Sequence, residues 1–197
     1  MSTFSPPRSF TGDTLTIRTY EPSDAHALCD ATNQSYEHLK RFMPWATRTQ
    51  TVAETAALIT TFEANYTACS DFVLGIWRNH DHAFLGGSGF HLREGPLEGK
   101  CAEIGMWIAA EHAGQGVGRE ALKTILQWGF TQWPWLRLAW RCNVENVASV
   151  RCAEHNGMSH EGTLRGQYNP IDQGRRNTVC YGVLRDEWHA QRAVIVS

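Results

Sequence analysis

Three glycines fall within the five residues Gly114-Gln115-Gly116-Val117-Gly118, between an apolar run and an amphipathic one. Glycine accepts backbone conformations closed to other residues, so this segment can turn sharply, and the missing Cβ atoms leave its amides uncovered. The residues after it, Arg119 to Phe130, place Leu122, Ile125 and Leu126 on one face of a helix. Uncovered amides beside the positive end of a helix dipole form an anion site. The spacing is G-x-G-x-G. Arg119 stands where the dinucleotide fingerprint G-x-G-x-x-G needs its last glycine, and no Gly-Lys-Ser/Thr follows as in a P-loop. A dinucleotide or ATP site is disfavoured.

The order of elements around this turn sets the fold class. Thr14 to Tyr20 alternates Leu15, Ile17 and Thr19 with polar or aromatic neighbours, the period of a half-buried strand. Pro22 and Ser23-Asp24 start a helical stretch that runs to Arg41, where Phe42-Met43-Pro44-Trp45 breaks it, and Val52 to about Ala68 suits a second helix. Phe72 to Trp77, Ala83 to His91 and Cys101 to Ala109 read as an antiparallel meander. A βαβ-like unit then begins: the glycine turn, its helix, a strand through Leu136, Leu138, Trp140 and Cys142, a helix that Asn146 can cap and Gly157 ends, and a last strand from Thr178 to Leu184. The expected class is α/β or α+β, with a central mixed, mostly antiparallel sheet of about seven strands flanked by helices.

The chain has 197 residues, 42% apolar and 19% charged, which suits one globular domain spanning 1–197 and leaves little room for a second. A net charge of -2 without a lysine or arginine cluster speaks against nucleic acid as partner. No segment approaches the roughly 20 apolar residues of a membrane span, and Met1 to Phe10 has no apolar leader run, so a soluble, cytoplasmic protein is expected. The six cysteines include no CxxC pair and read as reduced, mostly buried thiols. Neither a zinc site nor a serine hydrolase is legible. His80 and His82 lack visible metal-ligand partners, and Gly86-Gly87-Ser88-Gly89-Phe90 is not G-x-S-x-G.

Glu103-Ile104-Gly105-Met106-Trp107-Ile108, the glycine turn, the amphipathic helix, a strand, and Asn143-Val144-Glu145-Asn146-Val147-Ala148-Ser149 with Asn156-Gly157 beyond it together resemble the core of the GNAT N-acetyltransferases, the RimJ/RimL type in particular. The resemblance covers roughly residues 14 to 188, and its specific part runs from Glu103 to Gly162. It implies a GNAT fold and an acetyl-CoA-dependent N-acetyltransferase with no metal. It also implies that the amides of Ala113, Gly114, Gln115, Gly116, Val117 and Gly118 hold the coenzyme A pyrophosphate, with Ile108, Asn143, Asn146 and Ser149 completing the cofactor site. The family pattern Q/R-x-x-G-x-G/A would put glutamine or arginine at position 113. Ala113 keeps an amide there but forfeits any side-chain contribution.

A thioester is already activated, so such a protein must present a neutral amine, polarise the carbonyl and assist departure of the thiolate. An α-amine with a pKa of about 7.8 is about a tenth neutral at pH 7; a lysine at about 10.4 is under about a thousandth neutral, a gap of about 3.5 kcal/mol. An N-terminal α-amine on a protein or peptide therefore needs only a modest base, and it is the expected acceptor.

Glu103 is the candidate base and an acceptor-side residue, because the resemblance puts a carboxylate there and a carboxylate near an apolar strand can relay a proton through water; the plainer reading is an ion-paired strand carboxylate. Ser149 is the second catalytic candidate, as donor to the departing sulfur, against a local bond from its hydroxyl to helix backbone. Asn146 can hold the pantetheine arm, cap its helix, or do both. Trp45, between the two N-terminal helical segments, either borders the acceptor pocket or fills the core. Gln167 lies where some members carry another glutamate and receives no role. The alternatives to this activity are acetylation of a small amine such as an antibiotic or a polyamine, which calls for an acidic pocket, and a non-catalytic CoA-binding protein. A homodimer is expected, being common in this family and among soluble proteins.

Overall fold

The computed structural model describes residues 4–195. One sheet of eight strands runs through it: β1 (Ser9–Thr11), β2 (Leu15–Arg18), β3 (Phe72–Arg78), β4 (Phe84–His91), β5 (Cys101–Ile108), β6 (Arg137–Asn143), β7 (Ser159–Tyr168) and β8 (Arg175–Leu184). Their order across the sheet is β1-β2-β3-β4-β5-β6-β8-β7, and only the β5/β6 pair is parallel. The helices are α1 (Ala25–Gln34), α2 (Tyr36–Leu39), α3 (Val52–Thr67), α4 (Val117–Thr131), α5 (Val147–His155) and α6 (Arg185–Ile195). The mixed, mostly antiparallel sheet flanked by helices is the expected architecture. It gains the short edge strand β1, too brief for a pattern to show, and the helix α6, whose polar sequence is anchored chiefly by Trp188 against Phe130.

The expected helix from Pro22 to Arg41 is interrupted at Ser35. Ser35 leaves helical geometry and turns its Oγ to the amide of Ala110, which donates to it at 2.9 Å. That bond fastens the α1/α2 junction to the segment just past β5. Farther on, the start of α3 carries a capping box, Thr51 with Glu54, so its boundary falls where the sequence places it.

Two apolar clusters hold the layers. On one face, Leu122, Ile125 and Leu126 of α4 join Ile104, Phe90 and Leu138 from the strands, with Trp128, Trp133 and Trp135 beside them. Burying each of these leucine and isoleucine side chains contributes about 1.5–3 kcal/mol, which fixes α4, and so the glycine turn, against the sheet. On the other, Leu28 and Ile59 of α1 and α3 meet Tyr20 and Trp77.

Candidate active site

The site follows from where the parallel pairing stops. β5 and β6 are in register at Cys101↔Arg137, Ala102↔Leu138 and Glu103↔Ala139, and no further. Beyond that point β5 pairs with β4 alone and β6 with β8 alone, so Ile104 to Ile108 and Trp140 to Asn143 diverge as the walls of a wedge. The inner edges of both walls carry backbone polar groups without a strand partner, and such groups call for a polar ligand or water. The mouth of the wedge is lined by two helix N-termini, those of α4 and α5.

At the first lip, Gly114 has φ +75° and Gly116 φ +83°, and a Cβ at either would meet nothing within 4 Å. Only these two glycines bend the backbone. Gly118 is already helical, and its bare Cα brings α4 within van der Waals reach of Ile108, whose Cγ1 would lie 3.6 Å from an added Cβ. Among the described residues, no backbone amide from Gly114 to Arg119 donates to a protein acceptor, whereas the amide of Ala113 is taken by the carbonyl of Ala110. Of the amides from Ala113 to Gly118, that of Ala113 is thus already engaged within the protein and those from Gly114 onward are open. Gln115 folds back, its Nε2 donating to the carbonyl of Glu111 at 2.7 Å, and so steadies the turn.

At the second lip, Asn146 caps α5: its Oδ1 accepts from the amide of Ser149 at 3.2 Å, and its side-chain Nδ2 has no protein acceptor among the described residues. Capping and ligand contact are therefore compatible. Asn143 ends β6 with Oδ1 accepting from the amide of Glu145. The hydroxyl of Ser149 accepts from the indole Nε1 of Trp140 at 3.0 Å rather than serving the helix backbone. Cys152 of α5 and Asn156 at its C-terminal cap reach across to the carbonyls of Gly118 and Arg119, at 3.2 Å each, and tie α5 to the start of α4.

At the vertex stands Glu103, 4% exposed. Its surroundings are those of the ion-paired strand carboxylate: Arg93 binds one carboxylate oxygen and Arg141 lies 3.5 Å from the other. Arg141 and Arg137 also share Glu94, and Arg137 grips Glu161, holding that carboxyl below its usual range. This lattice of charges crosses the β5/β6 junction and fastens the vertex shut. Trp45, 49% exposed, lies outside the core and meets Trp107 of β5 edge to face at 5.8 Å. Trp107, Arg93 and Arg141 escaped the sequence reading. For Trp107 a signal existed, since Gly87 leaves space for its indole: an added Cβ would lie 2.4 Å from Nε1. Glycines inside a strand mark such close approaches.

No group of three or more histidine, cysteine, aspartate or glutamate side chains able to hold a metal occurs among the described residues, and no helix among them is long and apolar enough to cross a membrane.

A sheet that opens between its two parallel strands, with bare amides and two helix N-termini at the mouth, defines a fold for binding an extended, phosphate-bearing ligand. The chain belongs to the acetyltransferase (GNAT) domain family, whose model matches residues 14–159, and is an acyltransferase of that type. It is similar to the protein named "Putative ribosomal N-acetyltransferase YdaF" of Bacillus subtilis strain 168, 27% identical over 182 residues that cover 90% of this chain and 95% of the relative. A shorter match, 35% identical over 66 residues, covers 34% of this chain and 37% of the ribosomal-protein-serine acetyltransferase of Escherichia coli K12. Among solved structures, RimL, an alpha-N-protein acetyltransferase in complex with coenzyme A, superposes with a TM-score of 0.78 at 20% identity, covering 88% of this chain and 95% of that one. At that identity the likeness establishes the fold.

Proposed function

We propose that this protein transfers acetyl from acetyl-CoA to a primary amine, and that the acceptor is the N-terminal α-amine of a protein or peptide. The wedge carries the reading. Uncovered amides from Gly114 to Arg119 suit a pyrophosphate, and the unpaired edges of Ile104 to Ile108 and Trp140 to Asn143 suit the amides of a pantetheine arm lying between them as an added strand would. Ile108, Asn143, Asn146 and Ser149 line that path.

Bound acetyl-CoA supplies a thioester carbon already activated toward an amine. The protein's own part is to exclude water, orient the amine and manage charge. Trp45 and Trp107 wall the acceptor side, and the side-chain Nδ2 of Asn146 is placed to donate at the mouth. Ser149 turns its hydroxyl proton toward sulfur, that of Cys142 in the free protein and that of the departing thiolate in the reaction, because Trp140 already donates to its oxygen. Glu103, between two guanidiniums, fixes the charge of the acceptor face and so the ease with which an amine there loses its proton.

That face favours an α-amine over a polycation. Its buried carboxylate is matched by Arg93 and Arg141, so it lacks the excess negative charge that a polyamine or aminoglycoside requires. The names of the ribosomal relatives point the same way. An acetyl-CoA turnover screen over peptides with N-terminal serine or alanine, polyamines and aminoglycosides tests it: turnover of peptides is expected, and turnover confined to aminoglycosides or polyamines overturns the acceptor.

The continuous sheet supports one domain across the chain, the free cysteines support a reducing cytoplasm, and β7, an exposed edge strand with Leu164 and Tyr168 on its surface, supports a homodimer. Sedimentation at micromolar concentration decides the last of these.

A further inference from the structure

Two glycines on the acceptor face make room for an imidazole. A Cβ added at Gly105 would lie 2.6 Å from His91 Nε2 and 2.9 Å from its Cδ2; one added at Gly89 would lie 2.6 Å from the carbonyl oxygen of Phe72 and 3.3 Å from His91 Cε1 and Nε2. The ring of His91 therefore lies over the backbones of β4 and β5. It shares the face of Glu103, its register partner, and Gly105 is the second residue past the last β5/β6 pair. On the ring's other side Nδ1 is 2.7 Å from Oδ1 of Asp71, the residue before β3. A carboxylate only accepts, so Nδ1 carries the hydrogen, and in the neutral ring Nε2 bears the lone pair. Nε2 has no protein partner among the described residues, and the side chain is 20% exposed. The charged groups around it are Asp71 before β3, Glu103 on β5, and Arg93 and Arg141, which occupy the Glu103 oxygens.

We infer that His91, oriented by Asp71, is the base that takes the proton of the acceptor amine. The inference rests on the wedge being the acetyl-CoA site. At the inner end of that wedge, Nε2 accepts the proton that the amine nitrogen sheds as its lone pair forms the bond to the acetyl carbon. The carbon–sulfur bonding pair leaves on sulfur, hydrogen-bonded by Ser149, and the thiolate is protonated from solvent. His91 returns its proton to solvent, so a neutral amine and the thioester yield an amide and a thiol. Asp71 is a positioning residue in this scheme: it holds the tautomer and the ring.

The test uses the whole protein and a peptide with a free N-terminal serine. In the free enzyme, nitrogen-15 correlation spectra of the neutral imidazole should show His91 protonated at Nδ1 and bare at Nε2. His91→Ala should lower kcat/KM by about 10²–10³-fold with acetyl-CoA affinity unchanged by calorimetry. Free imidazole, fitting the hollow over Gly89 and Gly105, should restore activity at least tenfold, in proportion to its neutral fraction. Asp71→Asn should lower kcat more than it raises KM. An Nε2-protonated tautomer, undiminished turnover in folded His91→Ala, or a loss that imidazole does not repair overturns the assignment. Wild-type protein that binds no acetyl-CoA overturns the wedge reading instead, and the base with it.

Discussion

Replacing Ser149 by alanine separates a structural from a chemical role, because its hydroxyl has two distinct partners to lose. Its oxygen accepts from Trp140 Nε1 at 3.0 Å, and Trp140 is 5% exposed, so Ser149→Ala strands a buried indole donor. An unmet buried donor costs about 1–3 kcal/mol of stability. The hydroxyl proton, directed away from the indole, has a sulfur within reach even in the free protein: burial pushes the Cys142 thiol up, and hydrogen bonding from Ser149 and Trp140 draws it partly back. The same hydroxyl offered to a departing thiolate acts by hydrogen bonding rather than full proton transfer, which sets a modest effect of about ten- to a hundredfold in kcat, or about 1.4–2.7 kcal/mol. Steady-state kinetics on a serine-initiated peptide, with calorimetric acetyl-CoA binding and thermal unfolding, read the two losses apart. Trp140→Phe supplies the control, since it removes the indole donor; on that background Ser149→Ala should cost little stability yet still cost kcat. Full kcat in folded Ser149→Ala, on both backgrounds, returns the residue to the helix and refutes its place in the chemistry.

Gly116→Val forces a β-branched residue to φ near +83°, at a cost of at least about 1–2 kcal/mol; acetyl-CoA binding should vanish from calorimetry, and unchanged affinity in a folded variant puts the pyrophosphate elsewhere. Glu103→Gln removes the charge that Arg93 and Arg141 share and should lower kcat more than acetyl-CoA affinity; a pH–rate profile and kcat equal to wild type take Glu103 out of the mechanism. Trp45→Ala, at an exposed site, should change stability by no more than about 0.5 kcal/mol and raise the acceptor KM severalfold; an unmoved KM leaves Trp45 as surface. Burial pushes the Cys152 thiol up to about 12 from 9.0, so the stability it contributes is present below pH 9.0 and lost as pH rises through 12. At pH 8 its alkylation by iodoacetamide should be about a thousandfold slower in the folded protein than in the unfolded one, and equal rates contradict the burial.

Much of the fold was legible because it rests on local rules. The alternation of Leu15 and Ile17, the Thr51/Glu54 box and the Asn146 cap each determine an element from a few neighbouring residues. The break at Ser35 was not legible, since its cause is Ala110, whose amide comes from far along the chain. β1 and α6 were missed for lack of periodic apolar residues, their anchors being Phe10 on Trp128 and Trp188 on Phe130.

The site divides along the same line. The turn from Gly114 to Gly118 was visible because glycine spacing is itself a backbone statement, whereas the bond that engages the amide of Ala113 was not. Glu103 was visible as a residue, and as one that could be ion-paired, but its partners were not, for Arg93 comes from the loop after β4 and Arg141 from β6. The point where β5 leaves β6 has no marker in either strand taken alone. What the sequence does hold is a run of glycines, Gly86, Gly87, Gly89 and Gly105, in strands where glycine weakens pairing. Each absent side chain on the face of Glu103 is occupied by another group: the indole of Trp107 over Gly87, the imidazole of His91 over Gly105, and the carbonyl of Phe72 with the edge of that imidazole beside Gly89. Glycines that cost strand stability are thus in large part a negative image of the ring systems beside the wedge, and Gly105, beneath Nε2, fixes how near the imidazole of His91 can stand to the place where β5 and β6 part.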